Sequence, residues 1–273
     1  MLDCTVAYGL TFLFPAADKI VGASLREHGE FARVELDLLV ELADGAGTMI
    51  DVGANIGSIA LPFASKRPNW RVIAIEAHRG LSGVLHANAL NNRLFNVDVI
   101  HAAAGSERGQ ADFPALSLSE KANFGELGFK TVTDNKETIL MLPLDQIAPA
   151  NTSLVKVDVE GFEPEVLKGA EALIRRRSAI WLVEATIQHP QAAAASIRTF
   201  QEAGYGVHWL YAPFVTPKSE KANPAEPGKG DANIVALPPG ISNHWELPLV
   251  GSPDEVRPGT FGAYPYLARY GYR

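Results

Sequence analysis

The chain has 273 residues, a hydrophobic fraction of 47% and a formal net charge of −7 at pH 7. That length is enough for one large domain with a full core, or for one domain with an appendage. Because the excess charge is negative and the sequence has no long basic block, we expect neither nucleic acid nor an anionic membrane as a partner. No uncharged apolar run is as long as a membrane span, and the single cysteine, Cys4, fits a reducing cytoplasm, which is the expected location.

Short apolar runs alternate with segments of helical periodicity along most of the chain. This alternation predicts an α/β fold, a doubly wound and mostly parallel seven-stranded sheet with helices on both faces. A Pro-, Lys- and Gly-rich segment at 216–231 predicts a surface loop. The predicted strands are 48–52, 71–75, 97–103, 153–158, 179–184, 205–211 and 233–237, with two short strands near 110–113 and 138–142. The predicted helices are 31–43, 56–66, 79–90, 163–175 and 190–203.

The pattern divides the chain into three parts. Residues 1–45 are predicted to form an N-terminal extension and helix, residues 46–240 the cofactor-binding domain, and residues 241–273 a C-terminal tail. The tail carries aromatic residues interleaved with prolines and glycines in 245–250 and 261–266. Since a solvated tail rarely keeps so many aromatic residues, we expect it to pack on the domain or on a second subunit. A homo-oligomer is therefore one of the expected alternatives.

The stretch Met49-Ile-Asp-Val-Gly-Ala-Asn-Ile-Gly57 is typical of a buried strand, a glycine turn and the start of a helix. Gly53 and Gly57 lack side chains where the backbone turns sharply or approaches a ligand. A helix beginning near Asn55 offers free N–H groups at its positive end, and Asn55 can cap it. Glu76 closes the next apolar run, where an acid can accept hydrogen bonds from both ribose hydroxyls of an adenosine. The pattern predicts a nucleoside-bearing cofactor at the carboxyl edge of a parallel sheet.

Asp51 discriminates between cofactors. An acid at the start of the turn is a poor neighbour for the pyrophosphate of NAD and a good neighbour for an ammonium or a sulfonium group. S-adenosylmethionine has both cations, together with an adenosine that suits Glu76, so it is the favoured cofactor. Two alternatives stay open: an oxidoreductase that uses NAD or a nucleotide-sugar in the same crevice, and a non-catalytic partner protein that binds the cofactor without turnover.

Further candidate cofactor residues follow the third and fourth strands. Ala102 and Ala103 are small enough to leave room beside an adenine, although ordinary packing explains them equally well. Asp158 and Glu160 close the strand at 153–158, whose end faces the ligand crevice of an open α/β sheet. We expect Asp158 to meet the methionine end of the cofactor or to orient the acceptor. Both acids could instead stabilise the dipole of the following helix.

Three residues are candidates for catalysis: His189, Glu160 and Glu184. A hydroxyl acceptor must lose its proton as it takes up a methyl group, and a neutral imidazole accepts protons well at neutral pH. His189 is thus the first candidate base, although a histidine before a proline is also an ordinary helix-entry residue. Asp158 and Glu160 could join a third acid around a divalent ion. Because the sequence shows no histidine and acid group at ligand spacing, no resident metal is expected.

Four stretches resemble the FkbM-type S-adenosylmethionine-dependent methyltransferases: Ile50-Asp-Val-Gly-Ala-Asn-Ile-Gly57, Ala74-Ile-Glu76, Leu85-His-Ala-Asn-Ala-Leu-Asn91 and Val155-Lys-Val-Asp-Val-Glu-Gly-Phe-Glu163. Gly29–Glu35 is similar to the family's lead-in to its first strand. The resemblance implies a class I methyltransferase fold, which is Rossmann-like, with the cofactor across the strand ends. Members mostly methylate hydroxyl groups of sugars and other natural products. The resemblance thus implies an O-methyltransferase acting on a small-molecule or glycan acceptor.

Overall fold

The computed structural model describes residues 1–120, 122–221 and 228–272, so residues 222–227 of the predicted surface loop lie outside the described residues. Its strands are β1 (Leu2–Ala7), β2 (Leu10–Pro15), β3 (Thr48–Val52), β4 (Arg71–Glu76), β5 (Val97–His101), β6 (Ala103–Ala104), β7 (Gly109–Pro114), β8 (Lys136–Leu142), β9 (Thr152–Val157), β10 (Ile180–Glu184), β11 (Gly206–Pro213) and β12 (Gly230–Leu237). Its α-helices are α1 (Val21–His28), α2 (Arg33–Leu42), α3 (Ala60–Lys66), α4 (Arg79–Asn91), α5 (Leu144–Ile147), α6 (Glu163–Lys168), α7 (Glu171–Arg175) and α8 (Pro190–Glu202). Short 3₁₀ turns span Phe124–Glu126, Phe261–Ala263 and Pro265–Tyr270.

Among the described residues, seven strands form the central sheet in the order β11-β12-β10-β9-β3-β4-β5. β3, β4, β5, β9 and β10 run parallel, and β12 runs antiparallel to both of its neighbours. Every residue of β3 and of β10 is buried, as expected of parallel strands that are covered on both faces. The predicted doubly wound, Rossmann-like α/β fold is confirmed. None of the described helices is both long and apolar enough to cross a bilayer.

The third strand of the sheet is shorter than predicted. It ends at His101, whereas the sequence predicted 97–103. The N–H of Ala102 still bonds to the carbonyl of Glu76, but the chain then leaves the sheet. Ala103 pairs instead with Met141 of β8, in a separate small sheet with the order β6-β8-β7. The two short strands predicted near this segment are confirmed as β7 and β8.

Two predicted helices are wrong in their extent, and backbone geometry explains both. α3 begins at Ala60, not at residue 56, because Asn55 (φ 51°) and Gly57 (φ 90°) have left-handed backbone that no right-handed helix accommodates. The predicted helix 163–175 is divided into α6 and α7 around Gly169. A β-carbon on Gly169 would lie 2.0 Å from the carbonyl oxygen of Gly105, so the chain turns there to pass close to another segment.

An unpredicted hairpin, β1–β2, opens the chain and places Cys4 in a strand. Its turn is formed by Tyr8 and Gly9, both with positive φ. The side chain of Asn88 in α4 accepts from the N–H of Leu13 at 2.7 Å and donates to the carbonyl of Leu13 at 2.9 Å. Asn88 therefore satisfies the edge of β2 as a neighbouring strand would, which explains a polar side chain at full burial.

Residues 241–272 run across α2 and β11. The indole N–H of Trp245 donates to the carboxylate of Glu41 at 2.6 Å, and the hydroxyl of Tyr270 donates to that of Asp37 at 3.1 Å. The hydroxyl of Tyr266 accepts from the N–H of Tyr211 at 2.7 Å. Since these aromatic side chains are all buried, this segment is part of the core in the single chain.

Candidate active site

Three adjoining pockets form a cleft along the carboxyl ends of the parallel strands. The inner pocket is lined among others by Gly53, Asn55, Glu76, Ala102, Ala103, Phe113, Phe124 and Asp158. The middle pocket is lined among others by Glu35, Asp51, Gly53, Asn55, Lys156, Asp158, Glu160 and Asp231. The outer pocket is lined among others by Glu126, Lys130, Glu160, Glu184, His189 and Asp231.

The glycine turn brings two strand ends into close contact. Gly53 has a φ of 80°, and a β-carbon there would lie 1.9 Å from the carbonyl oxygen of Asp158. The N–H groups of Gly53 and Ala54 both donate to the carbonyl of Ile75, which fixes the turn against β4. The missing side chain thus lets β3 and β9 meet at the floor of the cleft.

We expect Gly53→Ala to lower the free energy of unfolding by at least about 2 kcal/mol, because the variant suffers both the positive φ and the contact with Asp158. Urea unfolding of the variant and the wild type measures this difference in free energy. Gly9→Ala is the matched control for backbone strain alone, since Gly9 has a φ of 75° and open space around it. Gly83→Ala, in an exposed and open position of α4, should raise stability by up to about 1 kcal/mol. Equal losses of unfolding free energy in Gly53→Ala and Gly9→Ala would show that the ends of β3 and β9 can move apart at no cost.

Glu76 ends β4 with its carboxylate held by backbone on both sides. One oxygen accepts the N–H of Asn55 at 2.8 Å, and the other accepts the N–H of His78 at 2.7 Å. Burial raises the pKa of Glu76 to about 7, although these two bonds oppose the shift. Glu76 lines the inner pocket. Because each carboxylate oxygen can accept a further hydrogen bond, Glu76 is able to accept hydrogen bonds from the hydroxyl groups of a ligand there.

Small and aromatic side chains form the rest of the inner pocket. Ala102 and Ala103 are buried where the chain leaves the sheet. Phe113 from β7 and Phe124 from the 3₁₀ turn stand among the lining residues. The side chain of Asn55 donates to the carbonyl of Phe124 at 3.4 Å, which ties that turn to the glycine turn. Asn55 does not cap α3, because its amide oxygen accepts from the N–H of Ile56, four residues before the helix begins.

A buried lysine, Lys156, lines the middle pocket. The ammonium of Lys156 is 2.8 Å from the carboxylate of Asp158 and 4.0 Å from that of Glu35. Burial works against the charged form, but these acids and Asp51 raise the pKa of Lys156 above its ordinary value. Burial raises the pKa of Glu35 to about 7, with Lys156 opposing the shift. The interior of the protein therefore keeps one permanent cation among several carboxyl groups here.

Asp51 is buried beside that lysine, and its Oδ1 atom has no hydrogen-bond partner within the described part of the chain. Burial raises the pKa of Asp51 to about 6, and Lys156 opposes the shift. A buried acceptor without a partner is costly, so the position suits a ligand that donates hydrogen bonds or carries positive charge.

The outer pocket collects acids from two neighbouring strands. Glu160 has left-handed backbone (φ 53°), and burial together with Asp158 raises its pKa to about 9. Glu184 ends β10, and burial with Asp158 and Glu160 raises its pKa well above the ordinary value. The imidazole Nε2 of His189 lies 3.7 Å from the Glu160 carboxylate. Burial and then Lys130 lower the pKa of His189, which keeps the ring neutral near pH 7.

The sequence profile described as the Methyltransferase FkbM domain matches residues 51–207, which is more than half of the chain. The chain belongs to the FkbM methyltransferase family. The match begins at Asp51 and includes the glycine turn, Glu76, the acids after β9 and Glu184 at the end of β10. The resemblance inferred from the sequence is therefore confirmed.

Three proteins that this FkbM family member matches share 15–32% of aligned residues with it. Over 96 residues it is 32% identical to the ribosomal RNA small subunit methyltransferase G of Nitrosospira multiformis, an alignment that covers 34% of the chain and 44% of that relative. The chain thus spans less than half of that curated relative. The solved methyltransferase FkbM of Methylobacillus flagellatus KT aligns at 19% identity and a TM-score of 0.47, over 72% of this chain and 45% of that one. A precorrin-6y C5,15-methyltransferase from Geobacter metallireducens GS-15 aligns at 15% identity with a TM-score of 0.49. The alignment covers 76% of this chain and 87% of that one.

All the site residues predicted for this FkbM family member lie along the cleft except Gly57. A β-carbon at Gly57 would meet Leu61 and Leu85, so this glycine makes room for packing behind the turn. Sequence reasoning missed Glu35 and Asp231 as site residues. Glu35 carries a signal that could have found it, since it is an acid within the apolar face of α2, where a buried charge needs a partner.

Proposed function

We propose that this FkbM family protein is an S-adenosylmethionine-dependent methyltransferase, and that its acceptor is a hydroxyl group of a sugar or another natural product. The observation that carries the proposal is the continuity of the cleft. Gly53, Asn55 and Asp158 line both the inner and the middle pocket. Glu160 and Asp231 line both the middle and the outer pocket. A long cofactor in the first two pockets would present its reactive end to an acceptor in the third.

The inner pocket suits an adenosine. Its aromatic and small apolar walls fit the base, and Ala102 and Ala103 leave space where larger side chains would fill the pocket. Glu76 is fixed by two backbone N–H groups in a position to accept hydrogen bonds from the ribose hydroxyls. The resulting interactions would select a nucleoside with both hydroxyls free.

The charge of the middle pocket favours S-adenosylmethionine over NAD. Asp51, whose buried Oδ1 has no partner among the described residues, and Asp158 can receive the ammonium group, and Glu35 adds a further carboxyl group to the pocket. A pyrophosphate in the same place would meet these acids, and Lys156, the one basic side chain among the described lining residues, is engaged by Asp158 and Glu35.

S-adenosylmethionine supplies a methyl group activated by its positive sulfur. The protein has to hold the acceptor oxygen in line with that methyl group, and such alignment contributes about 7–11 kcal/mol in favourable cases. His189 lines the outer pocket with a neutral ring, so we place it as the base that takes the hydroxyl proton. Glu160 and Glu184 are the next candidates for this role.

A thermal-shift experiment tests the cofactor. S-adenosylmethionine and S-adenosylhomocysteine, at a hundredfold excess over the dissociation constant, should stabilise the fold by about 2.7 kcal/mol and raise Tm by several degrees. NAD at the same concentration should leave Tm unchanged. The opposite pattern, a shift with NAD and none with either sulfur nucleotide, would overturn the proposal in favour of an oxidoreductase.

The acceptor can be identified by incubating the protein with methyl-labelled S-adenosylmethionine and a pool of sugars and natural-product extracts. The compound that acquires the label is then isolated, and the position of the label is determined. A label on a hydroxyl oxygen supports the proposed substrate class, and a label on nitrogen or carbon refutes O-methylation. Cofactor binding without any labelled product would favour the non-catalytic partner protein.

A further inference from the structure

Three carboxylates converge at the boundary between the middle and outer pockets. Asp158 directly follows β9, Glu160 lies in the next turn, and Glu184 ends β10. Because Val157 and Val183 are paired in neighbouring parallel strands, the acids that follow or end these strands emerge side by side. One oxygen of each acid lies within 4.8 Å of an oxygen of the other two.

Glu184 supplies a second observation that points to a ligand. Its side chain is only 5% exposed, and its Oε2 atom is buried with no hydrogen-bond partner in the described ranges. The side chain lines the outer pocket together with Glu160. A buried carboxylate oxygen without a partner is rare in a native protein unless an ion or an ordered water meets it.

Two described lysines lie near these acids, and of the two only Lys156 contacts a member of the cluster, Asp158. Lys156 contacts the carboxylates of Asp158 and Glu35, on the side of the middle pocket. The ammonium of Lys130 donates to the carbonyl of Gly161 at 3.3 Å. Further acids, Glu126 and Asp231, also line the outer pocket, so carboxyl groups that a cation could hold in their ionised form are concentrated there.

We propose that Asp158, Glu160 and Glu184 form a binding site for one divalent cation with a preference for oxygen ligands. The sequence predicts no resident metal, because it shows no histidine and acid group at ligand spacing. The third acid of this cluster, Glu184, comes from a neighbouring strand. Three carboxylates without histidine or cysteine suit hard cations such as Mg²⁺, Mn²⁺ and Ca²⁺. The use of this cation to hold the acceptor hydroxyl next to His189 rests on the proposed function, but the site itself does not.

Binding of Mn²⁺ to the chelator-treated full chain, without cofactor or acceptor, tests the site directly. The loss of the free Mn²⁺ signal in electron paramagnetic resonance should give about one bound ion per chain, and Mg²⁺ or Ca²⁺ should displace it. Glu184→Gln and Glu160→Gln should each weaken binding roughly tenfold or more. Glu171→Gln, at an exposed position of α7, is the matched control and should bind as the wild type does.

The proposal is overturned if the wild type leaves the Mn²⁺ signal unchanged at roughly millimolar protein and metal. It is also overturned if folded Glu184→Gln and Glu160→Gln bind as tightly as Glu171→Gln. Thermal unfolding of each variant establishes that it is folded, and Glu160, which is partly exposed, keeps the test valid if Glu184→Gln fails to fold. Because no methyl transfer is measured, a failure of the proposed function leaves this result intact, and the reverse also holds.

Discussion

His189→Ala should lower the maximal rate of methyl transfer by about 10²–10⁴-fold and leave the affinity for S-adenosylmethionine within about twofold of the wild-type value. The rate falls because the variant lacks the neutral imidazole that lines the outer pocket. The affinity stays because His189 does not line the inner or the middle pocket. Steady-state kinetics with the identified acceptor gives the rate, and calorimetry without acceptor gives the affinity.

His86→Ala is the matched control for this change. His86 is exposed on α4, away from the residues that line the cleft, so its loss should alter neither quantity. A wild-type rate in His189→Ala would assign the proton transfer to Glu160 or Glu184, or would show that alignment of the acceptor suffices. A loss of cofactor affinity equal to the loss of rate would instead make His189 a structural residue, since its ring packs against Gly161 at the turn after β9.

Glu76→Ala should weaken the binding of S-adenosylmethionine roughly tenfold to a hundredfold, because a charged acceptor of two ribose hydroxyls contributes about 1.5–3 kcal/mol. Calorimetry measures the change. The alanine also deprives the N–H groups of Asn55 and His78 of their acceptor, so Glu76→Gln, which keeps one side-chain oxygen, should lose less. Glu107→Ala, at an exposed position after β6, should bind as the wild type does. Unchanged affinity in both Glu76 variants would make this residue only a support of the turn.

The pH dependence of stability gives an independent measure of Glu76. Its pKa is about 7 in the folded protein and 4.5 in a free side chain, so the folded state binds the proton more tightly. The stabilisation by this group is complete below pH 4.5 and is lost as the pH rises to 7, which amounts to roughly 3 kcal/mol. In Glu76→Gln, the ligand-free protein should lose less stability between pH 5 and 8 than the wild type in urea unfolding.

Local sequence predicted the central part of the fold and much of the site. Asp51, Glu76 and Asp158 each stand at the end of an apolar run, and the carboxyl ends of parallel strands meet at one edge of the sheet. Their proximity therefore followed from the strand pattern alone. The length of the loop after β3 was not predicted correctly. It depends on the left-handed backbone at Asn55, and the spacing of apolar residues carries no information about that conformation.

Other features depend on contacts between distant parts of the chain. Glu35 reaches the site from α2, and its carboxylate accepts a hydrogen bond from Asn233 of β12, 198 positions later. Glu184 meets Asp158 only because β10 lies beside β9. The β1–β2 hairpin did carry a local signal, a Tyr8-Gly9 turn between alternating residues, but its edge is completed by Asn88, which the sequence of the hairpin does not contain.

The contacts of α2 also have a consequence for the order of events during synthesis. Two residues of α2, Glu41 and Asp37, accept hydrogen bonds from aromatic residues that are synthesised much later. Trp245 follows Glu41 by 204 positions, and Tyr270 follows Asp37 by 233. At about 5–20 residues per second, the ribosome needs roughly 10–40 s to add the first of these partners. During that interval, the face of α2 that later contacts Trp245 and Tyr270 is exposed in the nascent chain. Capture by a chaperone, or association with another nascent chain, competes with folding during this period, and slower translation of the last third of the message would lengthen it.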